Sequence, residues 1–280
     1  MAPEGIECRV LYRDALMLVV DKPAGMAVHR GPKGGASLED CFDDLRFGLP
    51  RPPALAHRLD RDTSGCLVLG RHRKALAHLG ALFKHGRVGK TYWAIVEGGP
   101  DANAGEIDLP LGRLDATRGW WMKPDATGLP ALTRWRVLGR SAHSVACPLV
   151  GEVAAAGGGR GVVSLASIDT PLPIPPPQGG REQQAAMHEK HDKALTWLAL
   201  EPVTGRTHQL RVHCVAMGWP IVGDAIYGHA PRHGGPPLHL HAAEVVVPLY
   251  PKRAPIRVTA PVPEHMRELL MQCGWTGEVD

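Results

Sequence analysis

The chain has 280 residues, 44% hydrophobic and 21% charged, enough to bury a sizeable core as one large domain or two small ones. A formal net charge of +4 suits an anionic partner such as nucleic acid but is too small to demand one. Six scattered cysteines, Cys8, Cys41, Cys66, Cys147, Cys214 and Cys273, form no C-x-x-C pair, which argues against a disulfide framework or zinc ribbon and favours a reducing cytoplasm. Neither a signal peptide nor an apolar run approaching the roughly 18 residues of a membrane span is visible, so a soluble globular protein is expected.

In chain order, Arg9–Arg13 and Leu16–Val20 predict two strands around an Arg13–Asp14 turn, and Pro23 with Gly25 breaks the second. Ser37 is a good N-cap for a helix to about Phe47, with Leu38, Cys41, Phe42 and Leu45 at helical spacing. Cys66–Leu69 predicts a strand, Arg73 to about His85 a helix ended by Gly86, and Lys90–Val96 a strand with Tyr92, Ala94 and Val96 on one face. Leu132–Leu138 and Ala194–Leu200 alternate like two further strands. Between them, from about Ala142 to Asp192, the Gly-, Ala- and Pro-rich composition holds no periodic element and reads as an insertion. A helix from about Thr207 to Met217, strands at Ala243–Val247 and Ile256–Thr259, and a helix from Pro263 to Gln272 complete the pattern. Helices and strands do not alternate regularly, so the expected fold is α/β of the α+β type, a central mixed and largely antiparallel sheet flanked by helices.

Two polar blocks stand out. His57–Arg58–Leu59–Asp60–Arg61–Asp62–Thr63–Ser64–Gly65 precedes the apolar strand, and Gly205–Arg206–Thr207–His208–Gln209–Leu210–Arg211–Val212–His213 opens the later helix. Alone, each is readable as a solvated cluster of ion pairs worth about 0–1 kcal/mol. Asp60–Arg61–Asp62 is formally a D-x-D pair of the kind that holds a divalent cation in nucleotide-sugar transferases, although arginines on both sides make that glycosyltransferase reading less attractive. His188, His191, His239 and His241 have no cysteine partner at zinc spacing, so no metal site is predicted.

Together the blocks closely resemble the RluA family of RNA pseudouridine synthases. Val20–His29, Lys90–Gly98, Pro220–Gly228 and Leu238–Ala242 resemble further segments of that family, so the likeness covers nearly everything except the insertion. The resemblance implies a single catalytic domain over residues 1–280, without a separate N-terminal RNA-binding domain. It implies isomerisation of a uridine in RNA to pseudouridine, by detaching the base from the ribose and rejoining it through carbon, with no metal or organic cofactor. Asp60 matches the catalytic carboxylate, which can act as nucleophile or base. Arg211 matches the arginine expected to pair with Asp60, and Tyr92 the tyrosine that stacks on the target base. Arg58 resembles the residue that fills the space left by the flipped nucleotide. His57, Arg61, Thr63, Arg206, His208 and Gln209, within the same motifs, are candidate substrate-binding residues. The expected partner is RNA, a tRNA stem-loop or large-subunit rRNA, bound by a monomer. A non-catalytic RNA-binding module that kept the cleft is the competing reading.

Overall fold

The computed structural model describes residues 5–31, 34–115, 120–141 and 194–277, together with the backbone of 161–163. The first two strands, β1 (Val10–Arg13) and β2 (Met17–Lys22), meet β4 (Ser64–Gly70), which also carries the two-residue β3 (Ala54–Leu55). β2 and β4 are continuous apolar runs because both their faces are covered. Leu18, Val20, Leu67 and Leu69 point into one core cluster, while Met17, Val19, Cys66 and Val68 point into another. Helix α1 (Arg73–Lys84) closes the second cluster with Leu79 and Leu82. Burial of one such leucine contributes about 2 kcal/mol.

The first cluster is closed by Leu38, Cys41, Phe42 and Leu45, the residues expected on one helical stripe, but the backbone there is not the predicted helix. A capping box between Ser37 and Asp40 starts a 3-10 turn at Leu38–Cys41 that does not propagate. Asp43 and Asp44 are poor helix-interior residues, and Phe47 at φ 43 followed by Gly48 at φ 83 turns the chain away.

β5 (Gly89–Glu97), β6 (Ala104–Asp108), β9 (Leu132–Arg140), β11 (Leu195–Pro202) and β12 (Leu240–Val247) extend the sheet in the order β1-β2-β4-β12-β5-β11-β9-β6, with β10 (Gly161–Val163) beyond β6 and β13 (Ile256–Thr259) beside β12. β7 (Leu111–Arg113) and β8 (Met122–Pro124) form a separate hairpin. Most neighbours are antiparallel, but β12 pairs in parallel with β4 and β10 with β6. The expected mixed, largely antiparallel sheet is therefore present. β9 and β11, on either side of the predicted insertion, pair directly, but β10 lies within that stretch, where no periodic element is expected, and is a strand because β6 pairs with it; residues 142–160 and 164–193 lie outside the described residues.

Helices α2 (Gln209–Ala216) and α3 (Glu264–Gln272) cover opposite faces of the middle of the sheet. Leu210 and Cys214 of α2 meet Ala94, Val96, Leu198 and Leu200, whereas Met266 and Leu270 of α3 meet Ile95 and Trp197. At the join between β4 and β12, Gly65 adopts φ 102, and a Cβ there would lie 2.3 Å from the Ala242 carbonyl oxygen. Only glycine permits that approach, and it sets the end of β4 that carries the Asp60 turn against β12.

Candidate active site

Asp60 lies in the turn that feeds β4, closed by the Thr63 N–H donating to the Asp60 carbonyl at 3.3 Å. From below, the fully buried Lys22 donates through Nζ to Pro23 O and Arg61 O, each at 2.8 Å. Burial drives the Lys22 ammonium down to about 7, against the pull of Asp62 and Asp60. From the side, Arg61 Nε donates to Gly25 O at 2.9 Å. None of these contacts uses the Asp60 side chain, so they leave its carboxylate to the cleft.

Across that cleft, α2 begins at His208, held at φ 51. One turn on, the Arg211 guanidinium forms a buried fork with Asp224, Nε to Oδ2 at 2.8 Å and Nη2 to Oδ1 at 2.6 Å. Asp224 also accepts from the Ile226 and Tyr227 N–H groups. Burial alone would raise its pKa, but the hydrogen bonds and charge of Arg211 outweigh burial and hold the carboxyl below its usual range. The expected direct pair between Arg211 and Asp60 is thus corrected. The fork is engaged by Asp224, and Asp60 acts on Arg211 only through its charge.

The nearest cationic or hydrogen-bonding partner of Asp60 on this wall is His208, whose Nε2 lies 3.7 Å from Oδ2. His208 Nδ1 is 2.8 Å from the Tyr227 hydroxyl, which accepts the Met122 N–H at 3.0 Å. With the phenol oxygen accepting from Met122, its proton is directed to Nδ1, an assignment that places the imidazole proton on Nε2, facing Asp60. Burial lowers the His208 pKa while Asp60 opposes, so the ring faces the carboxylate as a neutral N–H donor. Asp60, Tyr92, Arg211 and His208 line one open cleft of about 650 Å³.

The chain matches the model of the family described as RNA pseudouridylate synthase over residues 16–216. It is 36% identical over 263 residues to an uncharacterized RNA pseudouridine synthase of Zymomonas mobilis, covering 93% of this chain and 96% of that one. It belongs to the RluA-type RNA pseudouridine synthases. The synthase is also 30% identical to the ribosomal large subunit pseudouridine synthase C of Vibrio cholerae, covering 95% of this chain and 69% of the relative. Human RNA pseudouridylate synthase domain containing 4 shares its fold with a TM-score of 0.64 at 22% identity, over 96% of this chain and 94% of the other. The α/β sheet is accordingly the pseudouridine synthase fold, and the chain is an isomerase acting on RNA.

The remaining predicted site residues of the synthase divide between the cleft and its scaffold. Tyr92 lies between two core clusters; burial, with Asp60 adding, pushes its hydroxyl above the usual range, so it stays protonated. Arg58 is exposed on the cleft wall and Thr63 is buried in its lining. The His57 ring also reaches the wall, but it stacks on Phe83 at 4.4 Å and its Nε2 accepts the Val68 N–H at 3.0 Å. Burial pushes His57 down to about 3, which keeps that acceptor unprotonated. Arg206 donates to Pro130 O, just as Arg61 donates to Gly25 O.

Gln209 is almost fully buried. Its amide oxygen accepts from the Thr204 hydroxyl and the Arg206 N–H, and its Nε2 donates to Leu132 O and Thr133 Oγ1. It clips the 204–206 loop to β9, so its polar groups serve the scaffold. Sequence reasoning did not single out Lys22, Asp224 or Tyr227. The signal was within reach, since Lys22 lies in the Val20–His29 segment and the other two in Pro220–Gly228.

Proposed function

We propose that Asp60 is the reacting carboxylate, that Tyr92 stacks on a uracil turned into the cleft, and that the RNA is large-subunit ribosomal RNA. The reaction breaks the C1′–N1 bond, turns the base and forms C1′–C5, exchanging the C5 proton for one on N1. No electrons are gained or lost. A carboxylate can attack C1′ or carry the proton, and the neutral His208 N–H faces it from 3.7 Å, beyond hydrogen-bond length. Arg58, exposed on the wall, takes the space the nucleotide leaves, where a planar guanidinium both stacks and donates.

The observation that carries this reading is the placement of Asp60. Its backbone is held on three sides, its carboxylate lines the cleft, and the nearby Arg211–Asp224 pair keeps a fixed cation within electrostatic reach. Asp62 is not among the residues that line the cleft, so the cleft does not present the two carboxylates that a D-x-D cation site would require. Ribosomal RNA is favoured over tRNA by the names of the Vibrio relatives. In this reading the protein acts as a monomer in the compartment where ribosomal RNA is assembled.

Site-resolved mapping of pseudouridine in RNA from cells lacking this protein tests the substrate. A large-subunit rRNA position should lose its pseudouridine and regain it on treatment with the purified protein. Loss confined to tRNA would reject the rRNA assignment, and an unchanged map would reject the activity in favour of a non-catalytic RNA-binding module.

A further inference from the structure

Five large apolar residues are exposed among the described residues, and three of them, Leu114, Trp120 and Leu129, belong to the β7–β8 hairpin or its immediate neighbours. Trp120 and Trp121 are adjacent in the turn that leads into β8, yet they are buried to very different extents. Trp121 is 9% exposed beneath Tyr227 and the Arg232 guanidinium, whereas Trp120 is 54% exposed. The Trp120 ring is held from two directions, by Trp121 at 5.6 Å and by His208 at 5.5 Å. Both contacts are T-shaped, so neither neighbour lies parallel to the indole. Through His208 this ring stands one side chain away from Asp60.

A half-exposed indole costs solvation and offers the core little, yet here it sits against His208, a residue of the cleft lining. Basic residues share the segment with acidic Asp115 and Asp125: Arg113 and Lys123 lie on the hairpin strands, Arg206 is tied to Pro130 beside Leu129, and Arg232 caps the companion tryptophan. An exposed aromatic ring on a segment that also carries cations is the composition of a single-stranded nucleic-acid platform, in which the ring takes a base and the cations take phosphates.

We infer that Trp120 is a stacking platform for an unpaired base flanking the target uridine, and so a determinant of which RNA site is accepted. This rests on the RNA reading of the cleft. It also gives the hairpin a link to the chemistry, because the Met122 N–H on the same segment orders Tyr227 and, through it, His208.

The test uses the full-length protein and large-subunit ribosomal RNA extracted from cells lacking it. Trp120→Ala should raise KM about tenfold, within the range of one lost base stack, with kcat nearly unchanged and the melting temperature of the protein unaltered. Trp120→Phe should restore most of the affinity. The dependence of affinity on salt should keep its slope, since no phosphate contact is lost. Wild-type KM in Trp120→Ala, with the parent enzyme active, would overturn the platform and leave the RNA reading standing. A fall in kcat alone would instead assign Trp120 to support of His208, overturning base stacking. Absence of conversion by the parent enzyme would reject the rRNA assignment and the platform with it.

Discussion

The two walls of the cleft hold charge in opposite ways. On the α2 wall, Arg211 and Asp224 are 3% and 2% exposed at the side chain, bonded to each other in a fork, and Asp224 is further tied to two backbone N–H groups. On the loop wall, the backbone around Asp60 is gripped by Lys22, Arg61 and Thr63, while the carboxylate itself is 24% exposed and has only a 3.7 Å approach from His208. A buried pair is stable because each charge satisfies the other, and that makes both poor reagents. A carboxylate held only by its backbone keeps its lone pairs free, so in the proposed reaction one wall supplies a fixed field and the other the reacting group.

Removing the reactive group should show this most strongly. Asp60→Asn is expected to lower turnover by about a thousandfold or more, within the upper range for loss of an acid–base or nucleophilic group. Its melting temperature should stay within a degree or two of the parent. Turnover near the parent rate, followed by pseudouridine-specific chemical mapping, would show that Asp60 is not the reagent.

The opposite wall should respond in stability. Asp224→Ala leaves Arg211 buried without its counter-charge and should cost about 3–5 kcal/mol in urea unfolding. Asp224→Asn, which keeps a hydrogen-bond acceptor, should cost less. Equal stability of parent and Asp224→Ala would mean that the fork is ornamental and that Arg211 is free to pair elsewhere.

Acid should sharpen the contrast more gently. His213 and His241 are buried and neutral, both pushed down to about 4 by burial. Their folded pKa values lie below the ordinary value of about 6.5, so between those limits the unfolded chain binds more protons. Stability should therefore be complete above about pH 6.5 and decline as the pH falls toward 4, by up to about 1.4 kcal/mol per pH unit for each group. Urea midpoints measured across that range check the slope. His213→Gln should flatten it, and a midpoint independent of pH would reject the buried neutral state.

What the sequence made legible was local. Gly86 at φ 65 and Gly218 at φ 80 end α1 and α2 as expected, and the strands at β2, β4, β5, β9, β11, β12 and β13 follow the apolar runs that predict them. The misreadings come from elements whose identity depends on distant partners. Ala104–Asp108 has little alternation and is a strand because β9 pairs with it, and Leu111–Arg113 is too short to signal anything alone. The 37–47 stretch has a helix's apolar spacing, but its acidic pair and positive-φ end limit it to a 3-10 turn. At the site, Asp60, Tyr92 and Arg211 were found through motif resemblance and do share the cleft. Arg211's partner lies inside the Pro220–Gly228 motif, but the pairing itself is not legible, because Asp224 follows Arg211 by 13 residues with no helical spacing to link them.

β12 lies between β4 and β5 in the sheet, although more than 140 residues separate it in sequence from either neighbour. Until the ribosome has made β12, the Asp60 turn has no parallel neighbour to fix it, and β4 and β5 have no strand to join them. Such distant pairings form late and slowly. A growing chain that already contains Asp60, Tyr92 and Arg211 is therefore still without the strand that joins the two halves of its cleft.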